Sequence, residues 1–367
     1  MLRLEAGRQA LRRLGADAVL VAPGDTMRYL LGFSPVIDER PCLLAITHAG
    51  TGLFVPQLNE RQFREALGEP GERGLTWEVW TDEQDAGTRV GDFLRRMGIH
   101  RTKRVAVDGS MPAATLLPVL RRLGGEFVDL GPALEPFRAV KDAEEAGRLR
   151  RSASLADAAM EAGWAALRPG ASERQVAAAI LRAFQEGGAE RVDFALVAAG
   201  PNGALPHHHT SSRPVAPGEP VVMDIGATLD GYCSDLTRVA VLGEPEPEVL
   251  RVHAVVEAAV QAALAAIRPG AVAAEVDLAA RRVIEEAGYG PYFTHRLGHG
   301  IGLATHEAPW IHRQSRTRLE PGMFFSVEPG VYLPGRWGIR LEEIVEVGDE
   351  GARVLSRLPR ELHRVDP

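Results

Sequence analysis

The chain has 367 residues, 45% of them apolar, and a formal charge of -7 from 42 basic against 49 acidic side chains. That length predicts two domains, with apolar content enough to bury a core in each. Acids and bases are interspersed and no apolar run approaches the length of a bilayer span, so neither a nucleic-acid partner nor a membrane is expected.

The opening "MLRLEAGRQALRRLGADAVLV" contains Glu5 and Asp17 and lacks the apolar region and cleavage site of a signal peptide. It reads as a first helix and strand, and a cytoplasmic location is expected. "DAVLVA", "CLLAITHAGTGLFV", "TWEVW", "RVAVDG" and "EFVDL" are apolar or β-branched runs, separated by helical patterns such as "LNERQFREAL" and "EQDAGTRVGDFLRRMG". Residues 1–135 are therefore predicted to form an α/β domain. Two prolines and a change of pattern between Pro132 and Ala139 predict a linker. Asp142 is then the expected N-cap of a long helix opening a second domain, 136–367. Cys42 and Cys233 lie far apart without CxxC spacing, which argues against a disulfide framework or a thiolate zinc site and makes both small core residues.

The second domain contains an internal repeat. "ALRPGASERQV" (Ala166 to Val176) recurs as "AIRPGAVAAEV" (Ala266 to Val276), "GALPH" ending in His207 recurs as "GLATH" ending in His306, and "PGEPVVMD" ending in Asp224 recurs as "PGMFFSVE" ending in Glu328. Each half reads as helix, Pro-Gly turn, helix, histidine loop, second Pro-Gly turn, and a strand ending in a carboxylate. Such duplications pack about a pseudo-two-fold axis where matching groups converge.

"VVMDIGATLDGYCSDLTRVAVLG" predicts a hairpin turning at Leu229 to Gly231. With the turn centred on Leu229 and Asp230, Asp224 faces Asp235 directly; centred on Asp230 and Gly231, Asp235 faces Gly226. Both registers put the two aspartates on one face, because side chains alternate with period two. "FFSVEPGVYLPGRWGIRLEEIVEV" repeats the design, with Glu328 and Glu342 symmetric about Gly335.

Apolar neighbours such as Val222, Met223, Ile225, Phe325 and Val327 make these buried strands, where unpaired acids are costly. Four clustered carboxylates repel one another unless cations neutralise them. Four carboxylates and one imidazole suit two divalent ions sharing ligands, and hard oxygen donors favour Mn or Co over a thiolate-type zinc site. Within "HRLGHGIGLATHE", His299 is the natural nitrogen ligand, flanked by Gly298 and Gly300, which allow close backbone approach to a metal. Its counterpart in the first half is Gly200.

The segments "LPH", "MDIGATLDGYCSDLTR", "HRLGHGIGLATHE", "SVEPGVYLP" and "GIRLEE" resemble the signature of the M24 metallopeptidases, which include Xaa-Pro dipeptidases (prolidases), Xaa-Pro aminopeptidases and methionine aminopeptidases. The resemblance covers the second domain and implies the α+β pita-bread fold. The α/β first domain is similar to the N-terminal domain of prolidases, aminopeptidases P and creatinase.

Carried onto this sequence, the resemblance implies that Asp224 and Asp235 hold one ion, that Asp235 and Glu342 bridge, and that His299 and Glu328 complete the second. The implied cofactors are two divalent ions, Mn first, with Co or Zn also compatible. A bridging hydroxide is the implied nucleophile. Glu328 is the implied proton carrier, and His207 and His306 stabilise the intermediate or bind the substrate. Arg340 orients the carboxylates, and His295 lines the substrate pocket. His208 and His209 are expected to be solvated. Creatinase and the pita-bread binding modules have lost metal ligands, whereas all five remain here, so an enzyme is expected. The expected substrates are small Xaa-Pro dipeptides, with an Xaa-Pro aminopeptidase as the alternative.

Some prolidases carry an arginine soon after the "HE" pair that clamps the substrate carboxylate. "HEAPWIHR" places Pro309 and Trp310 there, with Trp310 a candidate wall for the prolyl ring. Family members of this architecture are commonly homodimers whose first domain reaches the partner's site. "VIDERP" is the candidate for that reach, with Arg40 as the substitute carboxylate anchor.

Overall fold

In the first 137 residues, short apolar runs alternate with amphipathic helices and build one six-stranded sheet. The computed structural model describes residues 3–72, 74–100 and 104–366, with the side chains of residues 69–72 outside that set. Met1 and Leu2 of the predicted opening segment also lie outside it. The chain divides into two units, 1–137 and 138–367.

The first unit runs α1 (Leu4–Leu14), β1 (Ala18–Val21), α2 (Asp25–Leu31), β2 (Leu43–Thr47), β3 (Thr51–Pro56), α3 (Gln57–Glu72), β4 (Leu75–Trp80), α4 (Ala86–Arg96), β5 (Arg104–Val107), α5 (Ala113–Leu123) and β6 (Glu126–Asp129). The sheet order is β4-β3-β2-β1-β5-β6. The strands β1 to β3 are buried along their whole length, which is why they read as continuous apolar runs without alternation. Residues predicted as a linker instead form α6 (Gly131–Ala139). Pro132 sits in its first turn, where a missing N–H breaks no helical hydrogen bond.

The second unit begins with α7 (Ala143–Ala166). Asp142 and Glu145 form a full capping box at its start. Next come α8 (Glu173–Glu186), β7 (Arg191–Ala199), β8 (Pro220–Leu229), β9 (Tyr232–Cys233) and β10 (Leu236–Leu242). The second half supplies α9 (Pro247–Ala266), α10 (Ala273–Glu286), β11 (Gly298–Gly300), β12 (Glu307–Ile311), β13 (Phe324–Val327), β14 (Gly330–Leu333), β15 (Trp337–Arg340) and β16 (Glu343–Val347). Finally β17 (Ala352–Val354) pairs with β16, and β18 (His363–Val365) pairs with β10.

The duplication is visible in the backbone. The Val215 amide donates to Ala171 O and the Leu319 amide to Ala271 O, while the Glu173 amide donates to Arg213 O and the Ala273 amide to Thr317 O. Gly218 and Gly322, in the matching Pro-Gly turns, have φ of 81° and 84°. Two cores result. One is built around Met160, Ile180, Phe184 and Met223, the other around Val256, Val276, Ile284 and Phe325, and Val222 and Val239 of the first half belong to the second of them. By length and mean hydropathy α9 passes for a membrane span, which the sequence reading did not anticipate. In the structure its buried face, Val249, Val252, Val256 and Val260, belongs to the second of these cores.

Both hairpins take registers that converge their acids. Thr228 pairs with Cys233 and Ile225 with Leu236, so Asp235 lies opposite Gly226, the second of the two expected registers. The turn residues Asp230 and Gly231 both have positive φ, 51° and 78°, as a primed hairpin turn requires. In the other hairpin Gly330 pairs with Arg340 and Val327 with Glu343, which sets Glu328 opposite Glu342.

Candidate metal centre and active site

A cavity of about 840 Å³ in the second unit is lined by Asp224, Asp235, His299, Glu328 and Glu342, together with His207, His295, His306 and Arg340. The strand ends and loops of both halves thus deliver all five predicted ligands to one place. One ligand atom from each of Asp235, His299 and Glu342 lies within 4.8 Å of the others, and all three residues are buried. His299 Nε2 stands 3.2 Å from Glu328 Oε1 and 3.7 Å from Asp235 Oδ2.

Three observations fit this donor set to divalent cations. Asp224 Oδ1 and Glu342 Oε1 are buried with no hydrogen-bond partner. Uncompensated buried oxygens of this kind are costly unless a cation takes them. His299 Nδ1 lies 3.1 Å from Gly300 O, which can only accept, so the ring proton belongs there and Nε2 presents a lone pair to two carboxylates. Several acceptors meeting with no donor between them is what a metal satisfies. Burial, and then the neighbouring carboxylates Glu342, Asp224 and Glu328, hold the Asp235 carboxyl well above its ordinary range. Burial, Glu328 and Asp224 do the same to Glu342.

Arg340 is the organiser of this shell. Its Nη2 donates to Asp224 Oδ2 at 2.5 Å, its Nη1 to the Tyr332 hydroxyl at 2.9 Å and its Nε to Thr237 Oγ1 at 3.2 Å. Thr237 in turn donates to Glu342 Oε2 at 2.8 Å, and the Ser326 hydroxyl joins the His299 amide to Glu328 Oε1, each at 3.0 Å. The sequence reading missed Tyr332, Thr237 and Ser326. The available signal was period two: Thr237 shares a face with Asp235, and Ser326, Glu328 and Tyr332 alternate along one face, but all three also pass for ordinary strand formers.

His295 lines the cavity with both ring nitrogens engaged, Nδ1 with Arg296 O at 2.7 Å and Nε2 with the Tyr332 hydroxyl at 2.9 Å. The His306 ring packs edge-on against His299 at 4.1 Å, and the loss of solvent around it, with the positive charge of Arg296, lowers it to about 4. His306 is therefore neutral near pH 7 and keeps an N–H to donate. His207 is exposed on its loop.

Three readings need correction. His208 is not solvated: its Nε2 lies 3.0 Å from Glu173 Oε2. Glu173, fully buried at the start of α8, also accepts from the amides of Ala199 and Ser211 and from the Asn202 and Ser211 side chains. His209, by contrast, is exposed at the cavity rim. Trp310 does not line the cavity; Arg296 covers its ring. Gly298 and Gly300 are glycines for strand packing and not for metal approach, since a Cβ would fall 1.9 Å from Ser326 O and 2.1 Å from Ala308 O. Arg40 belongs to the first unit, where its guanidinium is bonded through Nε and Nη2 to Asp82 and through Nη1 to Glu39. Both cysteines are buried thiols.

Residues 147–349 match the model described as metallopeptidase family M24, and residues 3–140 match the Creatinase/Prolidase N-terminal domain. An Xaa-Pro dipeptidase of Lactobacillus delbrueckii subsp. lactis is 33% identical over 96% of this chain and 96% of its own. The crystal structure of dipeptidase PepE from Mycobacterium ulcerans is similar at a TM-score of 0.91 and 38% identity, over 100% of this chain and 97% of that one. X-Pro aminopeptidase from Thermotoga maritima MSB8 is similar at a TM-score of 0.85 and 30% identity, over 100% of both. The second unit has the expected pita-bread fold, preceded by a creatinase-type domain. Spanning both units as they do, these matches make the chain a member of metallopeptidase family M24.

Proposed function

We propose that the chain is a binuclear-metal exopeptidase that hydrolyses Xaa-Pro dipeptides, with Mn as the first candidate ion. The observation that carries the reading is the cavity itself, where four carboxylates and one imidazole meet and two buried carboxylate oxygens, Asp224 Oδ1 and Glu342 Oε1, have no hydrogen-bond partner among the described residues. Asp224, Asp235, His299, Glu328 and Glu342 are the residues that would hold the ions. When bound, two divalent ions neutralise these acids, polarise the scissile carbonyl and acidify a water into a nucleophile.

The rest is the work of the chain. Glu328, ionised and hydrogen-bonded to Ser326, accepts the water's proton at Oε1 or its partner oxygen and releases it to the departing prolyl nitrogen. His306 and His207 donate to the carbonyl oxygen as its charge develops and to the substrate backbone. Arg340 fixes the Asp224 carboxylate, so the donor set is preorganised before substrate arrives. Relatives named Xaa-Pro dipeptidase supply the proline, and the likeness to an X-Pro aminopeptidase supports cleavage of longer Xaa-Pro peptides as the second reading.

The decisive assay compares kcat/KM for Ala-Pro, Ala-Pro-Ala and Ala-Ala with Mn added. Ala-Pro is expected to be the best substrate of the three. A preference for Ala-Pro-Ala would make the chain an aminopeptidase, and no cleavage of any of them would overturn both readings.

A further inference from the structure

Two arginines face the cavity, Arg296 and Arg340. Arg340 is buried and committed to Asp224, Tyr332 and Thr237. Arg296 differs in every respect. It is exposed at the mouth of the cavity, three residues before His299, and among the described residues its guanidinium makes no ion pair or hydrogen bond. It is nevertheless held in place: its guanidinium carbon lies 4.5 Å from the centroid of the Trp310 ring. Trp310 is the direct cross-strand partner of His299, so the indole rises from the same face of the sheet as that imidazole. Stacking occupies the flat face of a guanidinium and leaves its in-plane N–H groups open, aligned for a carboxylate.

A dipeptide presents a negative charge one residue beyond the scissile bond, so an enzyme that prefers dipeptides needs a fixed cation near the metals. Arg296 lines the same cavity as Asp224, His299 and Glu328. We propose that Arg296, braced on Trp310, binds the C-terminal carboxylate of the substrate and thereby selects dipeptides. This rests on the dipeptidase reading above. Arg40, the alternative anchor, has its guanidinium already occupied by Asp82 and Glu39.

The test compares Ala-Pro with Ala-Pro amide, which differ only in the charge Arg296 would read, on the Mn-loaded wild type, Arg296→Gln, Arg296→Lys and Trp310→Leu. In Arg296→Gln the ratio of kcat/KM for the acid over the amide is expected to fall about tenfold to a hundredfold, through KM for the acid, as for loss of a charge-assisted hydrogen-bonded pair. Arg296→Lys should keep part of the ratio, and Trp310→Leu should fall between wild type and Arg296→Gln. Using a ratio cancels any general loss from disturbing the neighbouring histidines. An unchanged ratio in Arg296→Gln, from a wild type that does prefer Ala-Pro to Ala-Pro-Ala, overturns the role of Arg296 alone. A wild type that prefers Ala-Pro-Ala overturns both the anchor and the dipeptidase reading.

Discussion

Asp235 is buried against Glu342 and within reach of His299, so its charge is tolerable chiefly because a cation can share it. Asparagine keeps its size while removing the charge and one acceptor oxygen. We expect Asp235→Asn to lower bound metal per chain, measured by atomic emission, and to cut kcat/KM by more than about a hundredfold, the upper end of what outer-shell changes cost metal sites. Full metal content with near-normal turnover would refute the ligand assignment. At this scale the sequence is informative where residue type conflicts with context. An acid inside "VVMD" or "FFSVE" has no inexpensive explanation, so all five ligand positions could be read. Tyr332 and Thr237 fit their strands without conflict, and their roles emerge only from the hydrogen bonds of Arg340.

At the scale of elements, each histidine loop is braced by a buried carboxylate that the sequence did not single out. Glu173 gathers the loop carrying His207. Asp277 on α10 accepts from the Leu297 amide and pairs with Arg281, which donates to the carbonyls of Phe293 and His295. Glu307, at the start of β12 beside His306, is clamped by Lys141 and Arg138. From sequence these look like a first-turn acid favoured by the helix dipole, an exposed i,i+4 pair and a strand-edge acid, because the partners are remote in the chain. Glu173→Gln should lower kcat by roughly tenfold or more with metal content unchanged. A fall in bound metal instead would assign Glu173 to the metal shell. Burial pushes Glu307 upward, but Lys141 and Arg138 outweigh it, so its folded pKa lies below the ordinary 4.5. Its stabilisation is therefore present above about 4.5 and lost as pH falls through the folded value. Glu307→Gln should destabilise the protein by about 3–5 kcal/mol at pH 7, since it leaves a buried lysine unpaired, and by a smaller amount at a pH below 4.5. Urea unfolding at the two pH values decides this: an equal loss at both would show that packing, not charge, is what the mutation removes.

At the scale of the whole molecule, the second unit is two copies of one design meeting at their acids. The duplication was legible because Pro-Gly turns recur at matching offsets, whereas helix α6 was read as a linker because its two prolines resemble one. Where the halves meet, the Glu342 amide donates to Thr237 O, so the hairpins touch through backbone as well as through their carboxylates. With four acids facing one another there, bound ions would act as a cross-link between the two halves. Binding to the folded state alone stabilises by about 2.7 kcal/mol at a free ion concentration of a hundred times Kd. For a unit of this size that corresponds to a Tm gain of roughly 5–10 °C. Adding Mn to chelator-treated protein should therefore raise Tm by that amount. Asp235→Asn should start no lower than metal-free wild type, because one repelling charge is gone, and should respond weakly to Mn. A wild-type Tm indifferent to Mn, with the ion shown to be bound, would mean that the acids are held apart by the protein frame and that the ions serve chemistry alone.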